Sequence, residues 1–337
     1  MTRSLMVAIM RNEAPYILEW VAHHRAVGFT DFLIFTNDCT DGTDRILDRL
    51  MDLNLVIHCP NPKSAFPHKL KVWQVSALRY ASTFSRFRQS DWVATIDADE
   101  FIEIRTGDGT LSALTEATGL FDVFSFPVVG YCSDGNPSIG NGEVQSRFRR
   151  PRSDLRPDGS WSPQGMAVKS LQRPGIEGAH FRNHRPKIDR FSKRQLTWLD
   201  GSGMALPPEF TDHKVNAWTF TAPPGLAHVN HHSLRARNSF ALKALRGDAV
   251  TESRLGVGTQ EQIRNALGYW KVRNQSQLPE RTVRSMPQAQ KTLADFHADP
   301  ILNELHEAAC SYHETSFARL LQTKAGYELI SGLKLQS

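Results

Sequence analysis

Apolar runs alternate with amphipathic stretches over residues 4–58, and this alternation restricts the fold more than any other feature of the chain. Residues 4–10 (SLMVAIM) have the length and character of a buried strand. Asn12 then stands where an N-cap belongs, and a helix is predicted from there to Val27. Pro15 is tolerated in its first turn, and Ile17, Trp20, Val21 and Val27 share one face. Gly28 ends it, and residues 31–36 (DFLIFT) form a second strand. A polar turn over residues 37–43 leads into a helix through Leu50, and residues 53–58 read as a third strand. Strand, helix, strand, helix, strand is the pattern of an α/β protein with a mostly parallel sheet flanked by helices. Such sheets bind their ligands beyond the carboxyl ends of the strands.

The next informative stretch is Trp92-Val93-Ala94-Thr95-Ile96-Asp97-Ala98-Asp99-Glu100-Phe101. A short β-branched run stops on three carboxylates and then resumes. Ending a buried strand this way costs desolvation unless a cation or hydrogen-bond donors meet the acids. Asp97 and Asp99 are two apart, so in an extended segment they point the same way and can share one ion. Hard divalent ions such as Mg²⁺ and Mn²⁺ take such oxygen ligands, with nucleotide phosphates supplying more. The plainer alternative is a solvated strand-to-loop edge. Against it stands position: residues 11–13, 38–41 and 97–100 each follow a predicted strand, which places three polar clusters at one sheet edge.

A helix is predicted over residues 69–87, with Leu70, Trp73, Ala77 and Leu78 on its apolar side, and a further strand over residues 122–128. Periodicity fades from residue 130 to 224, a length of irregular chain that suggests acceptor or lid loops. It carries Arg147, Arg149, Arg150, Arg152 and Arg156, which suit a phosphate or an acidic acceptor, or simply a solvated loop. Helix formers return from residue 239. The expected division is therefore 1–238 for the sheet domain and 239–337 for a helical C-terminal extension.

Composition narrows the function. With 337 residues, 40% hydrophobic and 22% charged, the chain can bury a sizeable core. The net charge of +5 suits an anionic substrate or peripheral contact with anionic headgroups, and is too diffuse for nucleic acid. No run reaches the roughly 18–20 apolar residues that span a bilayer. The start lacks a secretory signal, so a cytoplasmic location is expected, at most peripheral at the inner face of the membrane. Cys39, Cys59, Cys132 and Cys310 are scattered and suggest neither a zinc site nor a disulfide framework. Oligomeric state leaves no mark in the sequence.

Several motifs together resemble the glycosyltransferase family 2-like group, of GT-A fold, which is related to the family 92 galactosyltransferases. They are Ile9-Met10-Arg11-Asn12-Glu13 with Glu19-Trp20 and His23-His24-Arg25, then Asn37 to Thr43, Trp92 to Ile102, Tyr131 to Asn136, Lys169 to Pro174, and Val229 to Arg235 followed by Phe240, Lys243 and Arg246-Gly247. The resemblance runs in order over residues 5–247. It departs at His232, where the group usually has an aromatic, and at Tyr131, where it has Trp or similar.

The resemblance implies a GT-A architecture and transfer of a sugar from a nucleotide diphosphate sugar, UDP-sugar first, to a glycan, lipid-linked or protein acceptor. Mn²⁺ or Mg²⁺ would bridge the diphosphate, held by Asp97 and Asp99, with Asp99 the more direct ligand and His231 completing the shell. Arg11 and Glu13 would face uracil and ribose, with Asp38, Asp41 and Lys69 near the same pocket. Lys169, Arg235 and Lys243 would belong to the donor site, the last two holding the diphosphate, and Ser133 and Gly135 would border donor sugar and acceptor. Members of the group invert, using one carboxylate as base. Asp134 is favoured because it lies in a matched motif, with Asp200, Glu209 and Asp212 as alternatives.

Other classes explain less. A haloacid-dehalogenase-like phosphatase would need Thr or Val where Phe101 stands. A nucleotidyltransferase would open with a Gly-rich phosphate loop, and Arg11-Asn12-Glu13-Ala14 contains no glycine. A non-catalytic carbohydrate-binding protein needs no nucleotide pocket and is separated from the enzyme by nucleotide affinity; a non-catalytic nucleotide-binding protein stays as an alternative.

Overall fold

The structure, a computed structural model, describes residues 2–66, 68–69, 72–152, 167–190, 192, 195–211, 225–246, 258–276, 278–284 and 286–335. The first half begins as the alternation of its apolar runs requires. Strand β1 (Ser4–Met10) leads through a 3-10 turn (Ala14–Tyr16) into α1 (Ile17–Val27), β2 (Asp31–Thr36), α2 (Thr43–Asp52) and β3 (Ile57–Pro60). Three helices follow, α3 (Pro62–Ala65), α4 (Trp73–Ala81) and α5 (Ser85–Gln89), then β4 (Trp92–Thr95), β5 (Glu100–Ile104), α6 (Leu111–Thr118) and β6 (Val123–Gly130). Strands β7 (Val168–Gln172), β8 (Ala179–His180), β9 (Lys187–Ile188), β10 (Trp198–Leu199) and β11 (Ala227–His231) come next. The chain ends in α7 (Arg237–Arg246), α8 (Gln260–Arg273), α9 (Met286–Ala298), α10 (Pro300–Leu321) and α11 (Lys324–Lys334).

One sheet runs in the order β3-β2-β1-β4-β7-β6-β11-β5, with β10 beside β6, and β8 and β9 form a separate pair. Strands β3, β2, β1 and β4 are mutually parallel, and β10 and β11 run parallel to β6. Only β7 and β5 run against their neighbours. The expected mostly parallel α/β sheet with helices on its faces and a helical C-terminal portion is therefore present.

Both faces of the sheet are covered, and β1 shows how the residues arrange it. Successive side chains of a strand point to opposite faces. Met6, Ala8 and Met10 enter the larger core with Ile17 and Trp20 of α1, while Leu5, Val7 and Ile9 pack on the other side with Ala77, Leu78 and Ala81 of α4. Complete burial of a large aliphatic side chain stabilises by roughly 1.5–3 kcal/mol, which explains a central strand with no polar alternation. Gly28 ends α1 at a φ of 109°, a left-handed conformation open to glycine at little cost.

Four local expectations are corrected. Asn12 does not cap α1: it adopts a φ of 55° and spends its side chain on Thr40, accepting from Thr40 N at 2.7 Å. The third strand starts at Ile57, because residues 53–56 complete a turn out of α2. The helix predicted over residues 69–87 divides into α4 and α5, joined by a turn at residues 82–84. The irregular stretch contains β7, which pairs with β4 and β6 inside the sheet. It is too short to show a period, and its neighbours are assembled from distant chain.

The C-terminal helices do not stand apart from the sheet. Phe296 of α9 and Leu302 and Ala309 of α10 belong to the same core as β1 and α1. Helices α7, α8 and α11 build a second apolar cluster around Phe240, Trp270 and Leu329.

Candidate functional site

Strand direction assembles the site. Strands β1, β2, β4, β6 and β11 all end at one edge of the sheet, where the antiparallel β7 and β5 begin. Glu13, Asp41, Asp97–Asp99, Lys169 and His231 therefore reach one edge from separate stretches of chain. Five non-glycine residues have positive φ among the described residues, and four of them, Asn12, Asp38, Asp134 and Arg235, lie in the loops of this edge. Left-handed backbone at such residues costs stability and persists where contacts demand it.

Arg235 is the keystone. Its Nη1 donates to Glu13 Oε2 at 2.6 Å, its Nη2 donates to the Ala98 carbonyl at 2.7 Å, and the guanidinium lies 3.7 Å from the ring centre of Tyr16. One side chain thus joins the end of β1 to the acidic turn. Burial disfavours its charge, but Glu13 more than offsets this and raises its pKa further.

The acidic segment is a turn, with Glu100 N donating to the Asp97 carbonyl at 3.0 Å, so the expectation of two carboxylates aligned along an extended segment is corrected. They meet different cations. Asp99 accepts from Lys243 Nζ at 2.6 Å and has His231 Nε2 at 3.6 Å from its other oxygen. Asp97 accepts from Lys169 Nζ at 2.8 Å. Lys169 is fully buried and also donates to Glu100 Oε2 and Asn183 Oδ1, each at 2.8 Å, so its three N–H bonds are used. Burial alone would push these carboxyls up, yet Lys243 and His231 hold Asp99 well below the usual range and Lys169 lowers Asp97. Burial would lower His231, and Asp99 outweighs it and raises the imidazole.

Beside this cluster lies a cavity of about 220 Å³, lined by Asn12, Glu13, Thr40, Asp41, Arg235 and Lys243 among others. Its walls come from the ends of β1 and β2, from the segment after β11 and from α10. It is a cleft at the carboxyl ends of parallel strands, where α/β sheets bind ligands, and it sets charged side chains into a largely apolar lining.

Residues 7–133 match the model of glycosyltransferase family 92. The matched segment carries Glu13, Asp41, Asp97 and Asp99, and the remaining chain brings Lys169, His231, Arg235 and Lys243 to them. A glycosyltransferase family 92 protein of Ricinus communis is 27% identical over 103 residues, covering 29% of this chain and 17% of that protein. One of Oryza sativa subsp. japonica is 28% identical over 105 residues, covering 31% and 16%. The chain thus matches about a sixth of the length of these relatives. Among solved structures, S. aureus TarS 1-349 superposes with a TM-score of 0.34 at 13% identity, covering 95% of this chain and 92% of that one. Its complex with UDP gives 0.33 at 11%, covering 99% and 90%.

Other expected residues are placed less centrally. Asp41 lines the cavity but spends its carboxylate on Thr43 and on the Ala14 N–H, at 2.6–3.0 Å, which is turn and anchoring work. Arg11 is half-buried at the end of β1. Asp38 is exposed at the tip of its loop, and Lys69 is exposed beyond α3; neither lines the cavity. Ser133 is buried, its N–H on Asn274 Oδ1 at 2.9 Å, and Gly135 follows in a tight turn at a φ of 70°. Asp134 pairs with Arg150, accepting from its Nε at 2.9 Å and its N–H at 3.2 Å. Asp200 caps its own turn through Ser202 and Met204, and Glu209 is exposed. Arg147 grips the Ser138 and Ile139 carbonyls, and Arg149 bonds the Arg281 carbonyl. Arg156 and Asp212 lie outside the described residues.

Sequence reasoning missed Tyr16, Ser239, Tyr312, His313 and Ser316, all of which line the cavity. Tyr16 and Ser239 sat close to matched motifs and could have been found there. The three α10 residues carry no local signal.

Proposed function

We propose that this chain is a glycosyltransferase that moves a sugar from a nucleoside diphosphate sugar, with UDP-sugar the first donor to test, to a hydroxyl of a glycan, lipid-linked or protein acceptor. The observation that carries the reading is the Glu13–Arg235–Asp99–Lys243 cluster on the cavity, built around the segment that matches family 92. In such a transfer the acceptor oxygen bonds to the anomeric carbon as the bond to the diphosphate oxygen breaks. Negative charge grows on the leaving diphosphate, and fixed cations stabilise it in a water-poor cleft. Lys243, one-third exposed on the cavity wall, is placed for this work. Arg235 and Lys169, committed to Glu13, Ala98, Asp97 and Glu100, position the acidic turn instead.

The acidic turn also implies Mg²⁺ or Mn²⁺. Asp99 and His231 supply an oxygen and a nitrogen donor 3.6 Å apart, which fits two ligands of such an ion, with Asp97 in the same turn. No group of three ligating side chains is assembled among the described residues, so diphosphate and water would complete the shell. When bound, the ion supplies a Lewis acid for the departing diphosphate. Transfer with inversion needs a base for the acceptor proton, and we assign it to Asp134, whose carboxylate is oriented by the bond from Arg150 Nε. Cytoplasmic residence belongs to the same proposal; no helix among the described residues is long and apolar enough to cross a membrane.

The test is calorimetric titration of UDP and GDP, with and without Mn²⁺, on the wild type and on Asp99→Ala. Metal-dependent binding of one nucleotide, lost in the variant, is expected. Absence of binding by either nucleotide under any metal would sink the transferase reading and favour a carbohydrate-binding protein. For the base, Asp134→Asn should lower turnover by about 10²–10⁴-fold while nucleotide affinity holds, and loss of affinity instead would remove Asp134 from that role.

A further inference from the structure

The cavity has a wall that the donor-site reading leaves without a task. Its charged side is formed by Glu13, Arg235 and Lys243, tied directly to the acidic turn. Another part of the lining comes from Tyr312, His313 and Ser316 of α10, about 65 residues or more beyond the last matched motif. These residues are joined to the sheet loops across the opening. Tyr312 OH donates to Thr40 Oγ1 at 3.3 Å, and Thr40 is itself bonded to Asn12. His313 Nε2 lies 3.2 Å from Ser239 Oγ, which is 2.5 Å from Tyr16 OH. Helix α10 is held in place independently of any ligand, with Leu302 and Ala309 in the main core and Arg49 of α2 bonded to the Asp299 cap.

We infer that α10 closes the nucleoside end of the donor site and that Tyr312 is the aromatic wall against which the base and ribose rest. This rests on the donor-site reading and extends it to a residue that sets affinity for the nucleoside. The chemistry divides the cavity. A diphosphate needs cations, and these are confined to the side at the acidic turn. A flat, largely uncharged nucleoside needs an aromatic surface and short polar partners. Tyr312, Ser316, Thr40 and Asn12 provide them. Stacking on an aromatic side chain tolerates several bases, so discrimination among nucleotides falls to the polar partners. Tyr312 is 38% exposed, a large side chain left open at the mouth of a cavity rather than committed to the core.

The experiment separates the two ends with two probes, UDP and inorganic pyrophosphate, titrated into the full-length wild type and three variants. Tyr312→Ala should weaken UDP by about tenfold or more, the usual loss for removing one stacking side chain, and leave pyrophosphate unchanged. Tyr312→Phe keeps the ring and should retain UDP affinity. Ser316→Trp, one turn further along the same face of α10, fills the same end while leaving residue 312 unsubstituted, and should block UDP while pyrophosphate still binds. Unchanged UDP affinity in both Tyr312→Ala and Ser316→Trp would overturn the assignment. So would parallel loss of UDP and pyrophosphate, which would mean that α10 supports the whole site rather than its nucleoside end. Failure of the wild type to bind any nucleotide is a different result, and overturns the donor site itself.

Discussion

Lys169 concentrates the residue-scale argument, because a fully buried ammonium survives only with its partners in place. Its three donors meet Asp97, Glu100 and Asn183, and both carboxylates depend on it in return. Removing one partner of a buried ion pair leaves an uncompensated charge and typically costs about 3–5 kcal/mol. Lys169→Met should therefore destabilise the protein by that amount in chemical denaturation. Adding Glu100→Gln should recover part of the loss, since one stranded charge disappears while the bond from Asp97 N to the side-chain oxygen can persist. A Lys169→Met protein as stable as wild type would mean that the carboxylates are protonated in the fold. Its motif alone marks Lys169 as a donor-site residue. What its motif could not reveal is that all three N–H bonds are already committed.

At the scale of elements, the loop after β6 is wedged between the 3-10 turn and α10, and Gly142 marks the contact. It has a φ of 84°, and a Cβ there would fall 2.2 Å from the Pro15 carbonyl oxygen and 3.2 Å from His306 Cε1. Gly142→Ala should cost more than the roughly 1 kcal/mol of a left-handed alanine alone, because backbone must move as well. A lowered melting temperature checks this, and an unchanged one would show that the loop is free to shift. The same element shows how legibility is distributed. Strands β1, β2 and β4 were readable because each is a local apolar run bounded by polar turns. β7 was not, for its five residues acquire meaning only from β4 and β6 on either side. The site followed the same division. Glu13, Asp99, His231, Arg235 and Lys243 stand in motifs, and the structure brings them together. Tyr312 stands in an ordinary helix and becomes a cavity residue only through packing of α10 on the sheet.

The molecule as a whole carries an unusual load of buried histidine, and this sets its response to acid. His23, His24 and His232 are all within 1% of complete burial, packed around Phe101. Burial pushes His23 down to about 4 and puts His24 and His232 well below their ordinary range. Unfolded, each takes a proton near pH 6.5. A group depressed in the fold gives stability that is present in full above its unfolded value and is lost as pH falls towards its folded one. These histidines should therefore withdraw stability as pH drops from about 6.5 to 4, by roughly 3 kcal/mol for His23 alone. Glu103 adds to the loss lower down: burial opposes its charge, but His228 and Asn230 hold it at about 2, so its contribution goes between about 4.5 and 2. Glu19 works in the other direction. Burial raises it to about 7 although it accepts the Val144 and Gln145 N–H groups, so its contribution is full below about 4.5 and is lost as pH rises to 7. Asp41, Glu100 and His231, also raised in the fold, work with Glu19, while His184, pushed down by burial to about 4, joins the other depressed histidines, and the histidines leave a net loss on acidification. Denaturant titrations at intervals from pH 8 to pH 4 should show stability falling below about 6.5, and a flat profile across that window would mean that the histidines are reached by solvent. Glu19→Gln removes one opposing group, so the rise in stability between about pH 4.5 and 7 should be steeper in that variant than in the wild type, whatever the substitution does to the absolute value.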